Sequence, residues 1–176
     1  MEKDIKVCCF FGHRKIEEKE NLKIKLYEII ENLIVKNNTE VFLLGSKSEF
    51  NYLCREVVSK LKEKYPRIKR IYVRAEYPKI SNEQEKYFLV NYEATYFPKN
   101  LINAGKAIYI KRNYEMIDSS DICIVYYKKD YLPQKRKDSK SDFNYYQPKS
   151  GTAIAFNYAT QKNKKIINLA EDTQTK

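Results

Sequence analysis

The chain has 176 residues, of which 43% are hydrophobic and 32% charged, and its formal net charge is +11. This length and balance fit one globular domain with its own core. No apolar run is long enough to span a bilayer, which excludes a membrane-spanning protein. The opening MEKDIKVCCFFGH has an acidic start and a very short apolar core, so it is not a signal peptide and we expect a cytoplasmic protein. The positive charge favours anionic partners.

Apolar periodicity predicts alternating strands and helices in the first half of the chain. Residues 5–11, 40–45 and 69–75 are short β-rich runs, which we interpret as buried strands. Leucines and isoleucines at helical spacing predict helices over residues 17–37 and 48–64. The β-α-β-α-β order with short connections predicts a parallel sheet with right-handed crossovers.

The second half continues this alternation less regularly. Residues 76–105 have weak periodicity and contain a predicted short helix near residues 82–90. The remaining predicted elements are a helix over 106–118, a strand over 121–127, a helix over 152–161 and a strand over 164–169.

These elements predict an α/β fold, a Rossmann-like three-layer α/β/α sandwich with a mainly parallel sheet. We expect one domain over residues 1–170, with a basic loop insertion at 128–149 and a loose tail at 171–176. All strands should be apolar on both faces, because helices cover both sides of such a sheet. Ligands in these folds bind at the carboxyl ends of the strands.

The cysteines predict neither a metal site nor a disulfide framework. The chain has four cysteines without a CxxC pair, and His13 is its one histidine. We therefore expect no metal. Cys8 and Cys123 lie in apolar runs, which is typical of small core residues, and no second histidine could activate a catalytic cysteine.

The first polar cluster after a strand is GHR, residues 12–14. Gly12 permits a sharp turn, and His13 and Arg14 should then project over the edge of the sheet. Arginine binds phosphate or carboxylate through two parallel hydrogen bonds. The alternative is a turn glycine followed by two exposed polar residues.

Two further clusters, GSKSEFN at 45–51 and KSGTAIAFNYA at 149–159, precede predicted helices. Free backbone N–H groups at a helix N-terminus suit an anion, but the same serines can simply cap the helix. The sequence contains neither G-x-G-x-x-G nor a Walker motif, which disfavours dinucleotide oxidoreductases and P-loop enzymes. We expect no cofactor.

The segment IKRNYEM is predicted to lie on the helix before a strand, with Arg112 and Met116 one helical turn apart. Asp118 and Asp121 follow at its exit. In the alternative interpretation, Arg112 is exposed and Asp121 is a boundary residue between helix and strand.

Four short motifs in this order, GHR, GSKSEF, RNYEMIDSSD and SGT with NYA, resemble the SLOG superfamily. This superfamily includes the cytokinin-activating LOG enzymes and the DNA-processing protein DprA. The chain is most similar to small bacterial or phage SLOG proteins with a GHR start, over about residues 5–169. The resemblance implies a Rossmann-like fold that binds nucleotides or nucleotide-derived ligands, and a homo-oligomer paired through helices that flank the site.

The LOG branch of the superfamily cleaves the N-glycosidic bond of nucleoside 5′-monophosphates with an arginine in R-x-x-x-M and a glutamate in P-G-G-x-G-T-x-x-E. Arg112 and Met116 match the first pattern, but the glutamate position is Ala155. A carboxylate there would stabilise the oxocarbenium-like transition state or activate water. Without it, the phosphate site can survive while the reaction is lost. The candidate catalytic residues of a retained reaction are Arg112, Glu115 and Asp118, with Glu49 as a further substitute carboxylate.

The leading hypothesis is a protein that binds a nucleotide or nucleotide-derived signalling ligand, as a sensor or a sequestering protein in a bacterial or phage conflict system. Aromatic residues in 87–97 or 143–146 are candidates to stack on a base. The expected ligand contacts are Gly12, His13, Arg14, Gly45, Ser46, Glu49, Arg112, Asn113, Ser150, Gly151 and Thr152.

Two alternatives stay open. The first is a LOG-like phosphoribohydrolase, which glycohydrolase activity on nucleotides such as AMP would identify. The second is a DprA-like nucleic-acid-binding module, favoured by the basic cluster at 128–140 and by 16 tyrosines. A steep loss of oligonucleotide affinity with salt would identify it.

Overall fold

The computed structural model describes residues 4–131 and 150–171 of the chain. The strands within them are β1 (Lys6–Gly12), β2 (Thr39–Leu44), β3 (Lys69–Val73), β4 (Ala94–Tyr96), β5 (Ile122–Tyr126) and β6 (Lys165–Asn168). The helices are α1 (Lys19–Asn37), α2 (Glu49–Lys64), α3 (Asn82–Asn91), α4 (Ile108–Asp118) and α5 (Gly151–Gln161), and 3₁₀ turns at Lys99–Leu101 and Gly105–Ala107 precede α4.

The six strands form one parallel sheet in the order β4-β3-β2-β1-β5-β6 with helices on both faces, so the predicted Rossmann-like sandwich is confirmed. The strand order reverses between β1 and β5. All strand exits lie at one edge of the sheet because every pairing is parallel. We call this the carboxyl edge and the opposite one the amino edge.

The central strands bury both of their faces, and the alternation of side chains in β1 divides the core into two layers. Cys8 and Phe10 pack with α1 and α2 on one face, while Cys9 and Phe11 pack with α4 and α5 on the other. Each fully buried large apolar side chain stabilises the fold by about 1.5–3 kcal/mol. These two layers hold the strand exits, and therefore the loops that follow them, in fixed positions.

The prediction that all strands are apolar on both faces is wrong for the outer strands. Among the residues of β3, β4 and β6, only Val73 is buried. These strands lie toward the sides of the sheet, where helices cover them incompletely, and β3 even carries Arg70. Strand β4 was not predicted, because three residues are too few to show a period of two.

Other predictions have mixed outcomes. The four cysteines are buried and free, which confirms Cys8 and Cys123 as core residues. Of the described helices, none is both long and apolar enough to cross a membrane. The predicted basic insertion falls largely on residues 132–149 and the predicted tail largely on residues 172–176, and both stretches lie outside the described residues.

Candidate functional site

The helix α4 places Arg112 at the carboxyl edge of the sheet, beside the exit of β2. Arg112 and Met116 lie on the same face of α4, as their spacing predicts. A Cβ atom added to Gly45 would lie 3.0 Å from the Cδ of Arg112, 3.0 Å from the Sδ of Met116 and 2.8 Å from the carbonyl oxygen of Val73. Only glycine therefore lets the arginine lie this close to the exits of β2 and β3.

The guanidinium of Arg112 is buried but has no carboxylate partner. Only 5% of the residue is exposed. Its Nε donates to the Oδ1 of Asn113 over 3.0 Å, and its Nη1 donates to the carbonyl oxygen of Gly45. No carboxylate of the described residues forms an ion pair with it. Burial accordingly lowers the pKa of Arg112 from its ordinary value.

Nη2, the second terminal nitrogen of this guanidinium, donates to none of the described residues. It is not among the fully buried polar atoms that lack a partner in this part of the chain, so a small part of its surface is accessible. Arg112 thus presents one unused pair of N–H donors at the carboxyl edge, on a side chain that is otherwise held in place.

Three polar side chains surround this point. The Nζ of Lys47 lies 2.9 Å from the Oε2 of Glu76, and the hydroxyl of Tyr109 donates to the Oε1 of Glu76 over 2.7 Å. The Cζ of Arg112 lies 5.9 Å from the centre of the Tyr109 ring. The hydrogen bonds from Tyr109 and then from Lys47 hold the pKa of Glu76 below its ordinary value. We call Gly45, Lys47, Glu76, Tyr109 and Arg112 the Arg112 site.

This arrangement suits a small anion. Two cations face one carboxylate, so the Arg112 site carries a net positive charge. A buried cation without a counter-anion costs several kcal/mol of desolvation, which a bound phosphate or carboxylate offsets through charge-assisted hydrogen bonds. The exposed side chain of Tyr109 adds a flat apolar surface beside that anion.

The GHR cluster begins at the end of β1, at the carboxyl edge. His13 is buried there and does not project into solvent, because only 2% of it is exposed. Its Nε2 accepts from the backbone N–H of Lys128 over 2.8 Å, and its ring stacks on Tyr131 with 3.8 Å between ring centres. Burial lowers its pKa to about 4. The imidazole is therefore neutral with its proton on Nδ1, and that buried N–H has no acceptor among the described residues.

The other residues near GHR support the loop between β1 and α1. A Cβ on Gly12 would come within 2.5 Å of Phe50, so this glycine allows α2 to pack closely. The carboxylate of Glu49 accepts from the N–H of Ile16 over 2.7 Å and pairs with Lys19. Arg14 is exposed as predicted. Glu49 is thus occupied within this loop and does not approach Arg112 through any described contact.

The serine clusters are used for helix capping. The Oγ of Ser150 accepts from the N–H of Ala153 over 3.0 Å and caps α5, and the Oγ of Ser48 accepts from the N–H of Asn51 over 3.1 Å and caps α2. The Oγ of Ser46 accepts from the N–H of Ser48 in the loop before α2. Gly151 is exposed at the start of α5, and Thr152 is buried. These residues lie at the carboxyl edge, but no described contact joins Ser150, Gly151 or Thr152 to Arg112.

No described contact joins the other catalytic candidates to Arg112. Glu115 accepts from Asn100, and Asp118 accepts from the hydroxyl of Tyr158 over 2.9 Å. Asp118 lies about 9 Å along the helix axis from Arg112, toward the amino edge. Asp121 is also at the amino edge, where its carboxylate accepts from the N–H of Val7.

The position of the LOG glutamate is a core position in this chain. Ala155 is buried in the apolar layer between α5 and the sheet. Within residues 4–131 and 150–171, no group of three His, Cys, Asp or Glu side chains converges on a point that could hold a metal ion. Burial also raises the pKa of Cys8 and Cys54, so their thiols are poor nucleophiles.

Sequence reasoning missed two members of the Arg112 site. Glu76 follows the exit of β3 by three residues, so the rule that sites lie after strand exits could have found it. Tyr109 precedes Arg112 by three residues and therefore shares its helix face. The third neighbour, Lys47, lies within the GSKSEFN motif, whose predicted ligand contacts are Gly45, Ser46 and Glu49 but not the lysine.

Comparisons with known proteins give no family assignment. No protein-family model matches the chain, and no curated protein is significantly similar to it. The structural observations that bear on function are therefore the fold and the Arg112 site.

Proposed function

We propose that this protein binds a nucleotide or a nucleotide-derived signalling ligand at the carboxyl edge of its sheet, as the resemblance to the SLOG superfamily implies. The Arg112 site would hold the ligand's phosphate. A sensor and a sequestering protein of a bacterial or phage conflict system both need such a site and no catalytic group.

The observation that carries this proposal is the buried guanidinium of Arg112 without a carboxylate partner among the described residues. A purely structural arginine in such a place is normally paired, because an unpaired buried charge is costly. The Nη2 group, which donates to none of the described residues, can donate a charge-assisted hydrogen bond to a phosphate oxygen. The position at the strand exits is where ligands of this fold class bind.

We propose that the base stacks on Tyr109, which lies outside the two ranges predicted from sequence, 87–97 and 143–146. Phe88 and Tyr92 pack on Tyr72, with ring centres 5.0 and 5.2 Å apart, and are therefore less accessible to a base. Tyr87 is 73% exposed, but no described contact joins it to the Arg112 site. Residues 143–146 lie outside the described residues. Tyr109 is 51% exposed and lies beside the guanidinium, so a base stacked on it would leave the phosphate within reach of Arg112.

The test is a binding screen with a matched pair of variants. Mass spectrometry of small molecules released from the gently purified protein comes first, followed by a thermal-shift screen of nucleoside mono-, di- and triphosphates and cyclic nucleotides. Arg112→Met should abolish binding. Arg67→Gln is the control, because Arg67 is an exposed arginine that pairs with Glu40 near the start of β2. Equal binding by the wild type and Arg112→Met would refute the proposal.

An N-glycosidase is the second candidate, and Glu76 is the observation that favours it. This ionised carboxylate lies in the Arg112 site and could stabilise an oxocarbenium-like transition state, which Ala155 cannot do. Release of free base from a nucleoside 5′-monophosphate, lost in both Arg112→Met and Glu76→Gln, would establish turnover.

The remaining expectations rest on the resemblance alone. Light scattering coupled to size-exclusion chromatography tests the implied homo-oligomer. The nucleic-acid alternative depends on the basic cluster at 128–140, of which residues 132–140 lie outside the described residues.

A further inference from the structure

The carboxylate of Glu76 is held from two sides by neighbouring segments. Tyr109 comes from α4 and donates to Oε1, while Lys47 comes from the loop after β2 and binds Oε2. The side chain of Glu76 is 34% exposed. Its orientation is therefore fixed, although part of the carboxylate still faces solvent at the carboxyl edge.

Glu76 does not neutralise Arg112, although the two charges influence each other. Each favours the charged form of the other, yet the two side chains form no ion pair. A carboxylate whose role was to neutralise Arg112 would bind the guanidinium directly. Lys47 and Tyr109 instead hold Glu76 aside, which leaves an anion-binding group and a hydrogen-bond acceptor side by side.

A carboxylate has about four lone-pair positions, and the described contacts of Glu76 use two. The remaining ones can accept hydrogen bonds from a ligand. An anion without hydrogen-bond donors gains nothing from this acceptor and is repelled by its charge. A ligand gains from both groups if it carries an anion and, next to it, hydrogen-bond donors such as hydroxyl groups.

We infer that Glu76 selects the ligand by accepting hydrogen bonds from the vicinal 2′- and 3′-hydroxyls of a ribose whose 5′-phosphate is bound by Arg112. This inference rests on the proposed function and narrows the ligand class to ribonucleotides with a free diol. The site therefore discriminates against nucleotides that lack these hydroxyls, because the charged acceptor is then desolvated without a donor.

The test compares AMP, GMP, CMP and UMP with their 2′,3′-dideoxy counterparts by isothermal titration calorimetry. The wild type should bind the best ribonucleotide at least about tenfold more tightly than its dideoxy form. In Glu76→Gln the ribonucleotide should bind about tenfold more weakly. The dideoxy form should bind that variant as well as or better than the wild type, because a negative charge has been removed.

The control is Glu40→Gln, which removes the same charge from the start of β2, where Glu40 pairs with Arg67. It should preserve the wild-type preference. If the wild type binds both forms equally, or if Glu76→Gln weakens both to the same degree, this inference is overturned while the proposed function stands. If no monophosphate binds the wild type at all, the inference and the monophosphate form of the proposed function fail together.

Discussion

Arg70 and Arg112 are both largely buried arginines at the same sheet, but their surroundings differ. Arg70, near the start of β3, donates to both oxygens of Glu93, with Nη2–Oε1 at 2.7 Å and Nε–Oε2 at 3.2 Å. Burial alone would raise the pKa of Glu93, but the hydrogen bonds from Arg70 outweigh it and lower this pKa. At the carboxyl edge, Arg112 donates only to uncharged oxygens.

The difference separates a structural arginine from one suited to a ligand. Near the amino edge the chain supplies the counter-anion itself, so the pair is complete in the folded protein. At the carboxyl edge the described chain supplies none, and Glu76, the carboxylate that acts electrostatically on Arg112, is held by other donors. Breaking a buried pair leaves a charge without its partner and is costly. Removing an unpaired buried cation leaves no such charge behind, so substitution of Arg70 should cost much more than substitution of Arg112.

The largest expected effect is that of Arg70→Met on stability. It should lower the free energy of unfolding by about 2–4 kcal/mol, because Glu93 loses the guanidinium and keeps only Lys62 and the backbone N–H of residue 70 as partners. Arg112→Met should change the same quantity by no more than about 1 kcal/mol, since the lost hydrogen bond to Gly45 is offset by the removed charge. Urea denaturation measures both. If the two variants lose equal amounts of unfolding free energy, Arg70 and Arg112 do not differ in the way described here.

His13 gives the carboxyl edge a pH dependence of its own. Its pKa falls from 6.5 to about 4 on folding, so between these pH values the unfolded chain binds a proton that the native protein does not. Stability must therefore decrease as the pH falls through this window, by about 2–3 kcal/mol in total. His13→Gln should flatten the pH profile of unfolding there. An unchanged profile would contradict the buried neutral imidazole.

Gly45 tests how closely Arg112 depends on the exit of β2. Gly45→Ala places a Cβ against the Val73 carbonyl and the Arg112 side chain, so it should destabilise the protein by about 1–2 kcal/mol and weaken nucleotide binding. The matched control is Gly151→Ala, where the added Cβ meets nothing within 4 Å. If both variants show the same stability in denaturation and the same nucleotide affinity, the close contact of Arg112 with Gly45 contributes to neither property.

The smallest expected effect concerns the exposed pair of Arg67 and Glu40. Its nitrogen–oxygen distance is 3.0 Å, but the arginine side chain is 48% exposed. Arg67→Gln should therefore cost less than about 1 kcal/mol in urea denaturation. A loss as large as that expected for Arg70→Met would mean that burial does not explain the difference in stability between the Arg67–Glu40 and Arg70–Glu93 pairs.

The fold could be predicted from sequence because the central elements are strongly patterned. The runs around Cys8–Phe11 and Ile122–Val125 are continuous and apolar, and α1 and α2 carry regular stripes. The prediction of the strands was incomplete where a strand's length or its position in the sheet, rather than its sequence pattern, determines its character. The strand β4 is too short to show a period, and the polar character of β3 follows from its lateral position.

The candidate site was predicted only in part. Arg112 and Gly45 were named, but their direct hydrogen bond joins residues far apart in sequence, which no local pattern can show. For the same reason the burial of His13 against Tyr131 was not predicted, since it depends on a loop from another strand. Ser150 and Glu49 have residue types that suit ligand binding, but backbone N–H groups of the protein itself occupy them, from the same helix for Ser150 and from the loop after β1 for Glu49.

The most direct test of the central claim is a comparison of unfolding free energies with and without nucleotide. In the presence of a nucleotide at about 100 times its dissociation constant, the wild type should gain about 2.7 kcal/mol. Arg112→Met should gain almost nothing at the same concentration, while its stability without ligand stays close to that of the wild type. An equal gain in both proteins, or no gain in the wild type with any nucleotide of the screen, would contradict the assignment of Arg112 as the anion-binding residue.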